Sequence, residues 1–170
     1  MLFRSYSKIA PASIYFSRNE ETFMRLPLRH PHIIKNYLLF EYTIDGAQGQ
    51  CILQPLRWGD FYTYITTRLE EKNIYQNSCK RDIFSAISYL HQHHITHGDI
   101  KSENFLVGFK NDKPFLQLTD FGTHTSIHTE QRKNFCYGNH RTLSPSVLLT
   151  EIPAKNLKDE TLLETDTWAA

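Results

Sequence analysis

His97-Gly98-Asp99-Ile100-Lys101-Ser102-Glu103-Asn104 gathers an aspartate, a lysine and an asparagine into one short polar stretch, and fifteen residues separate it from Asp120-Phe121-Gly122. The intervening chain has the pattern of two strands: Phe105-Leu106-Val107 and Phe115-Leu116-Gln117-Leu118 are rich in branched and aromatic side chains, with Gly108 to Pro114 as the polar turn between them. Upstream, the segment Gln76 to Gln92 carries Ile83, Ile87 and Leu90 at i, i+4 and i+7. That spacing makes one apolar stripe on a buried amphipathic helix, which delivers the chain into the polar stretch.

Toward the N-terminus, Arg18 to Leu26 reads as a helix ended by Pro27. Tyr37 to Tyr42 and Gln50 to Leu56 flank the turn pair Asp45-Gly46 and read as paired strands, after which Gly59-Asp60 starts a helix. The first nineteen residues hold Arg4, Lys8 and Arg18 and no acid, as a transit peptide would, but a strand and a helix lead-in use them better. A chain of 170 residues with 40% apolar and 13% aromatic content can build one domain around a real core. Lysine and arginine total 19 against 18 acids, which leaves no electrostatic case for nucleic acid or for an anionic membrane surface. No apolar run approaches the roughly eighteen residues of a membrane span. Cys51, Cys79 and Cys136 are odd in number and unpatterned, which fits a reducing intracellular, cytoplasmic setting. The histidines around His97 have no cysteine or carboxylate beside them at zinc-ligand spacing.

The two polar motifs, in this order and at this separation, resemble the catalytic loop H-R-D-L-x-x-x-N and the D-F-G of protein kinases, with Gly98 standing where the arginine is usual. The resemblance runs from about Glu20 to Ala170. It implies phosphoryl transfer from ATP with Mg²⁺: Asp99 accepts the substrate hydroxyl proton, Lys101 neutralises a γ-phosphate oxygen, and Asn104 and Asp120 hold the metal. Such hard oxygen donors suit magnesium, which completes its shell with water and phosphate oxygens. It also implies that Leu53 guards the back of the adenine pocket, that the backbone of Gln54 to Leu56 offers the hinge hydrogen bonds, and that Leu106 lies beneath the adenine ring, a place compatible with an ordinary core leucine. For the lysine that pairs with ATP, Lys8 has the right chemistry and Arg4 the more usual spacing; an arginine there is not equivalent. For its partner acid, Glu21 lies ten residues before Pro31, with Glu20 as the alternative, and either acid also serves as a helix-start charge. Lys101 points to serine and threonine acceptors rather than tyrosine.

Departures from the family pattern are equally legible. Thr123 to Ser146 corresponds to an activation segment, but Asn139 replaces a threonine and Ser146 replaces the glutamate of its usual ending. Gly98 removes the arginine that clamps a phosphorylated activation loop, so switching by charge-assisted pairing at that point is not expected. No G-x-G-x-x-G occurs, and Asp166-Thr167-Trp168 resembles the opening of the large lobe's central helix, the one that anchors the catalytic loop in the family. The expectation is therefore an α+β, bilobal kinase-like fold that is partial at both ends. Residues 1–56 are the remnant of the small lobe and hinge, and residues 57–170 the first part of the large lobe, with the apolar face of the Ile83 to Leu90 helix left open to solvent or to a completing partner chain. Two functions follow: a serine/threonine protein kinase acting on protein substrates, or a non-catalytic kinase-like module that works by partner binding.

Overall fold

The computed structural model describes residues 3–8, 14–44, 47–127, 144–145 and 159–170. The chain opens with strand β1 (Phe3–Lys8) and helix α1 (Ile14–Arg25), followed by β2 (Leu38–Ile44) and β3 (Ala47–Pro55). These strands form an antiparallel sheet in the order β1-β3-β2, with Arg4 opposite Gln54, Lys8 opposite Gln50 and Leu38 opposite Leu53. The helix begins before the expected Arg18, and the Asp45-Gly46 turn lies outside the described residues. After β4 (Gly59–Asp60) comes α2 (Phe61–Thr67), whose first turn is capped by Asp60: one carboxylate oxygen accepts from Thr63 N–H at 2.8 Å. Capping of this kind satisfies an otherwise unpaired helix-terminal donor and stops the preceding strand.

Helix α3 (Leu69–Gln92) is the long one, and its sequence stripe becomes its buried face: Ile87 and Leu90 are fully covered. The expectation of an open apolar face is thus corrected. Leu90 and Ile87 pack into the core formed with β7, and the C-terminal helix α4 (Asp159–Ala169) also lies against α3; Phe84 is the large apolar side chain on α3 that stays 48% exposed. Beyond α3, His94 takes a positive φ of 56° where the chain reverses into β5 (Ile95–Thr96). Strands β6 (Phe105–Lys110) and β7 (Lys113–Leu118) then pair as a hairpin, and β8 (Thr125–Ser126) returns to β5.

The hairpin turn is tighter than expected. Gly108 and Pro114 belong to the strands, and the reversal is made by Asn111 and Asp112, both with φ above zero (51° and 59°). Two consecutive left-handed residues match the right-handed strand twist, and Asn and Asp tolerate that conformation. Gly108 is required for a different reason: a Cβ there would sit 2.4 Å from the ring of Phe115 across the ladder.

The sheet of β1 to β3 is joined to the rest through the segment after α1. Ile34 N–H donates to Leu118 O and Leu118 N–H to His32 O, both at 2.9 Å. Asp82, buried on α3, reinforces the same joint by accepting Leu116 N–H at 3.1 Å, with His32 Nε2 3.5 Å from its other oxygen. Its carboxylate and the surrounding burial push the Cys79 thiol up to about 11, burial being the larger cause, so this cysteine is held protonated in the core. Removing the acceptor strands a buried donor. Asp82→Ala is expected to lower the unfolding free energy by about 2 kcal/mol and Asp82→Asn, which keeps a carbonyl oxygen, by less than about 1 kcal/mol. Urea titration checks this, and equal losses for the two variants would mean that the Leu116 N–H bond is not what Asp82 contributes.

Candidate active site

The polar stretch forms the loop between β5 and β6, and the second motif follows β7, so the hairpin places them side by side. His97 is fully buried and both ring nitrogens are committed: Nε2 lies 3.0 Å from Thr119 O, and Asp99 N–H lies 3.3 Å from Nδ1. A carbonyl can only accept and an amide N–H can only donate, so the ring is the neutral tautomer carrying its proton on Nε2. The imidazole thereby ties one motif to the residue preceding the other.

Asp99 is shaped by its own loop. Lys101 Nζ donates to its Oδ2 at 2.5 Å, and Asn104 Nδ2 donates to the same oxygen at 3.0 Å and to Asp99 O at 2.7 Å. Both cationic and amide donors converge on Oδ2, and Oδ1 accepts no bond from the described residues. With its amide nitrogen used in this way, the atom that Asn104 has to offer a cation is its carbonyl oxygen. Asp120 is half-buried in a left-handed conformation, φ 63° and ψ 71°. Non-glycine residues held there store strain, and that strain concentrates at working sites. A carboxylate and an amide oxygen from two adjacent segments are a donor set that fits Mg²⁺ with its phosphate and water ligands.

Two further carboxylates, Asp166 and Glu20, hold this pair of motifs. Asp166 on α4, only 1% exposed, accepts His97 N–H at 2.6 Å and Gly98 N–H at 2.9 Å, one on each oxygen, with His91 Nε2 3.4 Å away. Gly98 has φ +79°, and a Cβ there would come within 2.9 Å of Thr123 O, so the loop turns too sharply here for any side chain without rearrangement. The glycine is thus a geometric requirement of this loop as well as the loss of an arginine. Asp166-Thr167-Trp168 already marked the helix expected to anchor this loop; the fold supplies the two amide partners, 68 and 69 residues away.

The second carboxylate is Glu20. Its Oε1 accepts Phe121 N–H at 3.0 Å, and the residue is 7% exposed. The expectation of Glu21 at this place is corrected: Glu21 faces outward and pairs with Arg25 at 2.6 Å along the helix surface. A single step on a helix turns a side chain by about 100°, so only one of two adjacent acids can face the core. Phe23, one turn on from Glu20, is the companion signal, since it stacks on Phe121 at 3.6 Å between ring centroids and 6° between planes. Phe121 also meets His97 edge-on at 5.0 Å.

Leu53, expected behind the adenine site, is half-buried on β3, opposite Leu38 and Ser5. Gln54, next along the strand, is 5% exposed, with Nε2 donating to Asn36 Oδ1 at 2.7 Å and Thr119 Oγ1 at 3.3 Å. Leu56 is exposed and its carbonyl accepts from Arg57 Nη1, while Leu106 is buried opposite Asp60 and Gln117. Lys8 ends β1 opposite Gln50, while Arg4 stands opposite Gln54. The expected departures at Asn139 and Ser146 lie outside the described residues.

A family model described as the protein kinase domain matches residues 12–170. Serine/threonine-protein kinase US3 of Human herpesvirus 1 is 29% identical over 163 residues, covering 95% of this chain and 31% of the relative. Aurora kinase of Saccharomyces cerevisiae is 30% identical over 128 residues, 75% of this chain and 33% of the relative. The human phosphorylase b kinase gamma catalytic chain, liver/testis isoform, is 28% identical over 157 residues, 90% of this chain and 36% of the relative. The chain spans about a third of the length of these curated relatives. No helix among the described residues is long and apolar enough to cross a membrane.

Asp166→Ala frees two buried amide donors and is expected to cost about 3 kcal/mol, with faster amide exchange at His97 and Gly98 than at Leu116. Exchange that quickens uniformly, or not at all, would rule out a local anchoring role. A second expectation concerns acid. Burial holds His124 below the ordinary histidine range, with His97 lowering it further, although the bond from its Nδ1 to Phe121 O at 2.7 Å acts the other way. The unfolded chain therefore takes up this proton first as pH falls, and the stability owed to neutral His124, fully present above about pH 6.5, declines below it. Thermal midpoints measured from pH 7.5 to 5.0 should fall less steeply in His124→Asn, which can still donate to Phe121 O; identical slopes would refute the assignment.

Proposed function

Because this chain belongs to the protein kinase domain family, we propose that its site transfers the γ-phosphoryl group of ATP, with Mg²⁺, to serine and threonine hydroxyls of protein substrates. The observation that carries this reading is the arrangement at Asp99: lysine and asparagine donors both on Oδ2, and Oδ1 without a donor among the described residues, where an incoming hydroxyl would bind. Asp99 orients that hydroxyl and takes its proton, while Lys101, already at the carboxylate, balances charge as it develops on the transferred group. Bound Mg²⁺, held by Asp120 and Asn104 oxygens, would supply charge neutralisation at the phosphates. Buried Gln54, the backbone through Leu56, and Leu106 frame the nucleotide base, and β1, which carries Arg4 and Lys8, provides the phosphate-pairing cation. Residues 1–56 serve as the nucleotide-covering lobe with the hinge, and residues 57–170 as the lobe that carries the chemistry.

The alternative, a kinase-like module without catalysis, draws support from Asn139 and Ser146, where residues that pack the substrate side of related sites are replaced. Nucleotide binding separates the two. The wild-type chain should bind ATP only with Mg²⁺, and Asp120→Ala should weaken that binding at least about tenfold. Asp99→Asn should bind normally yet transfer phosphate to a serine or threonine peptide about 10²- to 10⁴-fold more slowly, the range of a general base. ATP binding indifferent to Asp120→Ala would sink the phosphotransfer reading.

A further inference from the structure

Thr119 is bonded through every polar atom it has. Its N–H donates to Asn104 O at 2.9 Å, its carbonyl accepts from His97 Nε2 at 3.0 Å, and its hydroxyl oxygen accepts from Gln54 Nε2 at 3.3 Å. The first two bonds come from the loop that carries Asp99. The third comes from the opposite side, from a strand of the other sheet, and the same Gln54 nitrogen is steadied by Asn36 Oδ1 at the approach to β2. Thr119 is therefore where the catalytic loop, the hinge strand and the metal motif meet, and the residue after it is Asp120.

The geometry makes this contact consequential. Asp120 turns left-handed immediately after Thr119, so the peptide plane that Thr119 sets is one of the constraints on where Asp120 sits. Glu20 fixes the far side through Phe121 N–H. The hydroxyl contact adds a direct side-chain tie from Thr119 to β3, beside the backbone joint that Leu118 makes with His32 and Ile34. Tolerances at such sites are near half an ångström, so a modest bond can govern function out of proportion to its strength.

We infer that Gln54 is a positioning residue, whose side-chain amide couples the hinge strand through Thr119 to the metal-binding Asp120. It touches neither the reacting atoms nor the metal. The inference rests on the phosphotransfer reading for its consequence and on the hydrogen-bond geometry for its mechanism, and these are tested separately.

In the full 170-residue chain, Gln54→Leu keeps the volume of the side chain and removes its donor; Thr119→Val keeps the shape and removes the acceptor. Without nucleotide, each is expected to speed amide exchange at Thr119 and Phe121 about five- to tenfold, the equilibrium factor one hydrogen bond is worth, while Leu116 is unchanged. The double variant should be no worse than Gln54→Leu alone, since the bond that Thr119→Val deletes is already lost there. With nucleotide, each single variant should raise the Mg²⁺ concentration needed for half-maximal ATP binding about fivefold. Should Gln54→Leu fail to fold, Thr119→Val carries the test alone. Unchanged exchange at Thr119 and Phe121, or effects that multiply in the double variant, would overturn the coupling. A wild-type chain that binds no Mg²⁺·ATP, with exchange altered as expected, would refute the phosphotransfer reading and leave the coupling standing.

Discussion

Asp166 is the constraint on which the site depends. Two consecutive backbone N–H groups, at His97 and Gly98, point the same way and both end on its carboxylate. Successive amides of an extended chain point in opposite directions, so this arrangement requires a sharp bend, and the bend requires the positive φ of Gly98. Once the bend is set, Asp99 N–H meets the His97 ring, and the ring meets Thr119. The relation between the two motifs is therefore a consequence of one buried anion placed by a helix at the other end of the chain.

The same solution recurs. Asp82 accepts Leu116 N–H, Glu20 accepts Phe121 N–H, and Asp166 accepts a pair, each from the interior and each across long sequence separation. A carboxylate taken out of water is costly unless its lone pairs are used, and a backbone N–H inside the core is costly unless it is paired. Matching the two resolves both penalties at once. It also makes each junction directional, which apolar packing alone does not achieve. The Phe23–Phe121 stack adds dispersion and area, while the Glu20 bond specifies which way Phe121 lies.

Backbone strain sits at Asp120. Asp120 is left-handed and half-buried, bracketed by a fixed Thr119 and a fixed Phe121, so a strained residue is held by unstrained neighbours. His124 closes the same cluster, stacked edge-on against Phe23 and bonded to Phe121 O. Neutral His124 belongs to the folded state, which ties the surroundings of Asp120-Phe121-Gly122 to pH.

The sequence by itself determined the family and the order of the elements. Asp99, Lys101, Asn104 and Asp120 were legible because their motif is local: the residues lie within a few positions on a loop bounded by a hairpin, and the helix before it shows its stripe at Ile83, Ile87 and Leu90. What the tertiary structure alone decided were choices between neighbours and partnerships across the chain. Glu20 and Glu21 differ by one position, and a helix turn converts that single position into opposite faces. Asp166 was legible as the head of Asp166-Thr167-Trp168, but its amide partners, 68 and 69 residues away, are chosen only by packing. Local pattern reports what a residue can do; only packing determines what it faces.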